Sequence, residues 1–457
     1  MWFFKKIAAV FAQIWRVMSM KRPNTALMAL LFASVSFGQT KSVDERIGDA
    51  MNGSDWMELR RLYLSEGKNL QTPFLHPLSK FFINQFYNKP DSTIQYGQEI
   101  LEKYQDELSS SLPSIFYFMA EDYATLGHYD KASALLHSLN EACRQAGQPV
   151  NPIFEGYEDV YSKLSCFGPF TVSKPNHDVA VPLSVHKNDS HSPEMLYVKA
   201  NLNGKSMKCT YDTGAGINIM TSEFAQRIGV QVIPTKSVEM LGMSHAGSKG
   251  LVVLDSLALG EVVYHNVPFV VVDIKTDNAL ANKKFQELDY SCVLGSQMMF
   301  PLSEICLDFA RMRLVVPVSC APSPDYAPNF YRSAQHGLHL LLTDGLSGKR
   351  IEALVDTGAS GSLLTYRYYK RNERIFEGKS VSDSLRSAGV GGVLVVRTLP
   401  VSWSYAVSGK RYRVPRIPVV ATPDQDVNYD CLMGLPSLMS HKRLVMNFQD
   451  MWMRFDD

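Results

Sequence analysis

Two short segments hold the residues whose types and spacing could do chemistry: Asp212-Thr213-Gly214-Ala215 and Asp356-Thr357-Gly358-Ala359. In each, an Asp is followed closely by a Gly, the residue that lets a backbone turn tightly and leave a short acidic side chain exposed. Two carboxyl groups brought close together cannot both ionise easily. They share one proton and titrate as a coupled pair, so a single state contains both a base and an acid. That is the equipment for general acid–base activation of a water molecule.

The residues around the two segments match in register. A hairpin turn comes first, Asn203-Gly204-Lys205 in one copy and Ser347-Gly348-Lys349 in the other, with the Gly eight residues before its Asp in both. The strand that follows alternates Met207, Cys209, Tyr211 and then Ile351, Ala353, Val355. An apolar pair and a Thr (Thr221, Thr365) come after the Asp at equal distance. Cys292-Val293-Leu294-Gly295 answers Cys431-Leu432-Met433-Gly434, and Leu307-Asp308-Phe309 answers Met446-Asn447-Phe448, with 14 residues from Gly to Phe in both copies. One Asp-Thr-Gly arises by chance in about a tenth of chains of this length. Chance does not place two in matching flanks, so the chain carries an internal duplication. Each copy should end a strand in a turn that exposes its Asp, with Gly295 or Gly434 leaving room for close backbone passage. Two copies paired about a pseudo-twofold axis bring Asp212 and Asp356 together.

These motifs resemble the pepsin- and retropepsin-like aspartic protease superfamily, whose lobe carries two apolar residues, Asp-Thr-Gly-Ser/Ala and a downstream apolar-apolar-Gly. The resemblance covers most of the chain after residue 190. It implies an aspartic endopeptidase in which the ionised member of Asp212 and Asp356 deprotonates a water while the protonated member hydrogen-bonds the peptide carbonyl. It also implies a polypeptide substrate in extended conformation and no metal or organic cofactor. Thr213 and Thr357 match the residues that hold the two active-site loops across the pseudo-dyad, with Gly214, Ala215, Gly358 and Ala359 supporting those loops. Gly242, Met243, Ser244 and His245, and Gly389, Val390 and Gly391, occupy the flap position of each lobe. Neither stretch contains the flap Tyr of pepsins. Ala215 and Ala359 stand where pepsins usually have Ser, so each Asp is expected to lack a hydroxyl donor. The pair should then titrate above that of pepsin and work at mildly acidic to neutral pH. The competing reading is a non-catalytic peptide- or protein-binding module on an inactive protease-like fold.

The elements that must position these residues read as a multidomain α+β chain. Residues 44–165 show apolar spacing of three and four, with few Gly, as in helices. From Ile115 to Ala146, the run Ala120, Tyr123, Leu126, Gly127, Tyr129, Ala132, Leu136 and Leu139 resembles a tetratricopeptide repeat, with a weaker copy at 81–108; an ordinary helical bundle is the alternative. Such a domain would recruit a protein partner or shield the cleft; an inhibitory pro-region removed on activation is the other reading. After Cys166, short β-branched runs punctuated by Gly, Pro, Asn and Asp predict an all-β, double-lobed region: lobe 1 at 178–318, a Pro-rich linker at 319–335, and lobe 2 at 336–457. Met20-Lys21-Arg22, the apolar Ala26–Phe37 and the small or polar residues around Gly38 form a secretory pattern. Residues 1–38 are therefore expected to be a signal peptide or N-terminal anchor, and the protein to be exported, periplasmic or secreted.

Composition excludes several alternatives. With 46 basic and 45 acidic residues the formal charge is +1, and no basic run marks a nucleic-acid partner. The seven Cys are scattered without CxxC spacing, against a zinc site or a disulfide framework. Cys292 and Cys431 read as small buried strand residues; a bond between Cys209 and Cys292 is the other option that the resemblance raises. His336, His339 and His441 have no Ser or Cys partner at a nucleophile elbow, and no phosphate loop or HExxH is present.

Overall fold

The computed structural model describes residues 41–457 except 237–238, 241–245, 273–278, 335, 390–391 and 424–426. The signal or anchor at 1–38 and the flap candidates Gly242, Met243, Ser244, His245, Val390 and Gly391 lie outside the described residues. The chain divides into two compact units, one ending at Pro169 and one running from Phe170 to Asp457.

The first unit is helical: α1 (Val43–Asn52), α2 (Trp56–Glu66), α3 (Leu75–Phe86), α4 (Pro90–Lys103), α5 (Leu112–Thr125), α6 (Tyr129–Gln145) and α7 (Pro152–Leu164). Each helix packs on the next. A capping box starts α1: Ser42 Oγ accepts from the Glu45 amide, and Glu45 Oε2 accepts from the Ser42 amide. Proline opens α4 and α7, where its missing N–H costs nothing. The core is aromatic, with Trp56 stacked 3.9 Å from Phe86 and Phe118 edge-on to Phe86 at 5.7 Å. In the α5–α6 pair the small Ala120 and Ala132 are fully buried beside Leu136 and Leu139. No described helix is long and apolar enough to cross a membrane.

The second unit is built from strands. Its first half comprises β1 (Thr171–Ser173), β2 (Val179–Lys187), β3 (Pro193–Leu202), β4 (Lys205–Tyr211), β5 (Ile219–Met220), helix α8 (Ser222–Ile228), β6 (Glu239–Met240), β7 (Ala246–Gly247), β8 (Gly250–Leu259), β9 (Val262–Val271), helix α9 (Ala279–Glu287), β10 (Cys292–Leu294), β11 (Glu304–Asp308) and β12 (Arg313–Val316). The second half comprises β13 (Phe330–Arg332), β14 (Leu338–Asp344), β15 (Arg350–Asp356), β16 (Leu363–Leu364), helices α10 (Tyr366–Arg371) and α11 (Glu373–Phe376), β17 (Asp383–Gly389), β18 (Gly392–Val407), β19 (Lys410–Val420), β20 (Cys431–Gly434), helix α12 (Leu435–Leu438), β21 (Arg443–Asn447) and β22 (Trp452–Asp456).

Strand pairing closes twice. In the first half β3, β4, β10, β5, β9 and β8 form a six-stranded circuit that returns to β3. In the second half β14, β15, β20, β16, β19 and β18 form the equivalent circuit. A closed circuit leaves no open edge and fills its interior with the inward-facing side chains. Leu202, Tyr211, Leu254 and Leu257 on strands of the first, and Leu340, Ala353, Val355 and Val419 on strands of the second, are all at 0% exposure. The two halves are joined by one sheet, ordered β2-β12-β11-β21-β22, in which β11 of the first pairs with β21 of the second.

Two short strands differ from the expected organisation. Residues 171–173 pair with β9, so strand structure starts ahead of residue 178. Residues 330–332, expected in the linker, form β13 on β14, because Phe330, Tyr331 and Arg332 are buried at 0–2% exposure and a loop there would strand their backbone groups. The region is not purely β either: short helices follow both Asp-bearing turns.

Candidate active site

β4 ends at Tyr211 and delivers Asp212; β15 ends on Asp356 itself. Each lies beside a parallel strand that comes from the far end of its half, β10 beside β4 and β20 beside β15. The Asp212 amide donates to the Leu294 carbonyl at 3.0 Å. Gly295 then passes so close to the loop that an added Cβ would lie 2.7 Å from the Ala215 carbonyl oxygen; at Gly434 it would lie 2.8 Å from that of Ala359. The next amides complete the closure, Ser296 donating to Ala215 at 2.7 Å and Leu435 to Ala359 at 2.8 Å. Thr221 and Thr365 cap the helices that follow, accepting from Phe224 and Tyr368. Local sequence and this reach across the barrel thus hold both loops.

The two loops are tied to each other reciprocally. The Thr213 amide donates to Thr357 Oγ1 at 3.0 Å, and the Thr357 amide donates to Thr213 Oγ1 at 3.0 Å. Each hydroxyl passes its own proton across, Thr213 to the Val355 carbonyl at 2.8 Å and Thr357 to the Tyr211 carbonyl at 2.7 Å. Both threonines are completely buried. Four bonds out of water make a rigid frame about the pseudo-twofold, since every polar group in it is satisfied.

That frame places the carboxyl groups within hydrogen-bonding reach of each other. The glycines show how tight the approach is: a Cβ on Gly214 would lie 2.6 Å from Asp356 Oδ2, and one on Gly358 would lie 2.5 Å from Asp212 Cγ. No side chain fits at either position. Asp212 Oδ1 accepts from the Gly214 amide at 2.9 Å and the Ala215 amide at 3.2 Å; Asp356 Oδ1 accepts from the Gly358 amide at 2.8 Å. Both acids titrate above the ordinary carboxyl range. Burial raises Asp212, against the opposing pull of its hydrogen bonds. Burial raises Asp356 well above that range, and the charge of Asp212 raises it further. Two acids this close favour a state in which one proton is shared between them.

The expectation that each Asp lacks a hydroxyl donor is corrected for Asp212. Tyr290 Oη donates to Asp212 Oδ2 at 3.0 Å, filling from another strand connection the place that Ala215 leaves empty. Tyr290 was missed because it lies 78 residues from Asp212. One signal could have found it: Tyr290 and Tyr429 each precede a matched Cys by two residues.

The remaining candidates fall out as follows. Cys209 and Cys292 are buried neighbours with hydrogen-bonded thiols, and both are free, as is Cys431. Burial accounts for the raised thiols of Cys292 and Cys431. His339 is buried against Tyr331, and His441 pairs with Asp457 at 2.8 Å. Strands β6 and β7 pair on either side of residues 241–245, and Gly389 pairs with Gly392 on either side of 390–391, so antiparallel ribbons flank both flap candidates. Among the described residues no group of three or more His, Cys, Asp or Glu could hold a metal ion.

No curated protein matches the chain. Residues 198–296, from β3 through the Asp212 loop to just past Gly295, match the family model described as aspartyl protease, and this part of the chain is an aspartyl protease-like domain.

Proposed function

We propose that the protein is an aspartic endopeptidase built from two duplicated lobes, with Asp212 and Asp356 as its catalytic pair. The observation that carries this reading is the reciprocal Thr213–Thr357 lock, which holds the buried Asp212 and the half-buried Asp356, each against the glycine of the other's loop, across a pseudo-twofold. The family match over 198–296 supports it for the first lobe. The matched flanks and the second strand circuit extend it to the other.

The chemistry follows from one shared proton. The ionised carboxylate takes a proton from a water as its oxygen attacks the peptide carbonyl carbon, while the protonated carboxyl gives its proton to the carbonyl oxygen. The tetrahedral diol collapses when the first acid protonates the amide nitrogen and the second recovers its proton from a hydroxyl. The C–N bond breaks and the dyad is restored to its starting state. An extended substrate would pair its backbone with the flap ribbons. The helical unit, read as tetratricopeptide-like hairpins, would recruit a protein partner, and the N-terminal segment would direct export to a periplasm or the cell exterior.

The test is cleavage of a mixed peptide library from pH 3 to 8 by the chain from Gln39 onward, beside Asp212→Asn and Asp356→Asn. Each substitution is expected to abolish cleavage. Cleavage that survives either one, or none by the unaltered chain at any pH, sinks the reading and favours a peptide-binding module.

A further inference from the structure

The two halves of the dyad are not equivalent, although the sequence around them is. Both copies place a Tyr two residues before the late Cys, Tyr290 and Tyr429. Between β9 and β10 the first half has 20 residues (272–291), including α9; between β19 and β20 the second half has 10 (421–430). The longer connection turns Tyr290 inward. Its amide donates to the Phe285 carbonyl near the end of α9, and its side chain packs against the buried cluster of Ile219, Val272 and Val293. Tyr429 instead sits edge-on to the His339 ring at 5.9 Å.

Resting on the protease reading, we propose that Tyr290 is a positioning residue that makes Asp212 the charged base and Asp356 the proton carrier. A carboxylate has about four acceptor sites. On Asp212 the Gly214 and Ala215 amides take two and the Tyr290 hydroxyl takes a third, on the oxygen the amides leave free. The fourth faces Asp356. The two amides can only donate, and with the phenol donating as a third they favour the negative charge on Asp212. Among the described residues no phenol donates to Asp356, whose partners are Asp212 and the Gly358 and Ala359 amides.

Burial holds the Tyr290 phenol protonated well beyond the working pH range, so it remains a donor throughout. Among the described residues, the titratable groups bearing on Asp212 are Tyr290 and Asp356, and those bearing on Tyr290 are the two acids. The other charged residues described in this connection are engaged elsewhere: Lys284 with Glu194 at 2.7 Å, Lys283 with Glu287 at 3.8 Å, and Asp289 with Lys208 at 3.6 Å. The Tyr197 hydroxyl, next to this cluster, donates to the Leu288 carbonyl.

The decisive experiment compares Tyr290→Phe with the unaltered chain. Loss of the donor destabilises the Asp212 anion, so the acidic limb of kcat/KM should move up by about one pH unit, a tenfold loss on that limb, with KM and the activity above it little changed. The Ala215 amide already donates to this carboxylate at 3.2 Å, so Ala215→Ser adds a hydroxyl beside it and, combined with Tyr290→Phe, should move the limb back. Carboxyl 13C titration, with the dyad signals assigned by their loss in Asp212→Asn and Asp356→Asn, reads the same upward shift without turnover. It therefore decides the inference even if no peptide is cut. For a Tyr290→Phe chain that fails to fold, the unaltered chain decides: its Tyr290 ring carbon should follow the dyad titration and stop doing so in Asp212→Asn. An unmoved limb and unmoved carboxyl signals, a uniform loss of activity at every pH, or a tyrosine signal blind to the dyad overturns the proposal.

Discussion

Replacing Thr357 with Val keeps the shape of the side chain and removes one hydroxyl from the lock between the loops. Two buried bonds go with it, the one accepted from the Thr213 amide at 3.0 Å and the one donated to the Tyr211 carbonyl at 2.7 Å. Each bond is worth about 1 kcal/mol, and the amide and carbonyl left behind have no water to turn to, because both threonines are fully buried. Leaving a buried donor or acceptor unsatisfied raises the cost to about 1.5 kcal/mol for each of the two groups, so the expected loss is about 3 kcal/mol, roughly a 150-fold change in the folding equilibrium. For a unit of this size that corresponds to a fall in Tm of about 6 °C. Urea unfolding followed by tryptophan fluorescence measures it, since Trp403 and Trp452 are both buried in this unit. Peptide cleavage by Thr357→Val should show a lower kcat with little change in KM, because the loops carry the acids and not the substrate pockets. A destabilisation below about 0.5 kcal/mol would refute the reasoning, for it would mean that water or a shifted backbone satisfies these groups without the lock.

Two further outcomes test neighbouring steps of the argument. Gly358→Ala puts a methyl group against the Asp212 carboxylate, so the acids must separate; cleavage should fall at least about a hundredfold, while far-UV circular dichroism stays unchanged. His339 is held down to about 3 by burial and then by the charge of Arg367. Its folded value lies below its unfolded one, so the stability it contributes is full above pH 6.5 and is lost as the pH falls towards 3, at about 1.4 kcal/mol per pH unit. Urea midpoints of His339→Gln should therefore decline less steeply than those of the unaltered chain between pH 6 and 4; parallel declines would show that His339 does not govern acid sensitivity.

Much of the second unit was readable from the chain because its signals are local. A turn glycine, an alternating strand, Asp-Thr-Gly and a helix-capping Thr each act within a few residues, and their recurrence in register marked the duplication. Helices at 44–165 were readable for the same reason, through three- and four-residue spacing. Short elements were not: β1 and β13 have three residues each, too few to show a period, and exist only because β9 and β14 offer them partners. Tyr290 was hidden differently. Its residue type and its place in the repeat were visible, but nothing local separates it from Tyr429, whose ring ends beside His339 instead.

Residue type and spacing along the chain are enough to single out Asp212 and Asp356 as an acid pair, Thr213 and Thr357 beside them, and the recurrence of their flanks in register. Folding adds that the threonines bond reciprocally, that each acid lies close enough to the opposite loop to exclude any side chain at Gly214 and Gly358, and that Asp212 receives a phenol. Those facts depend on where distant strands and a 20-residue connection come to rest once two barrels have closed, and contacts made across 78 to 146 residues leave no periodic trace in the chain.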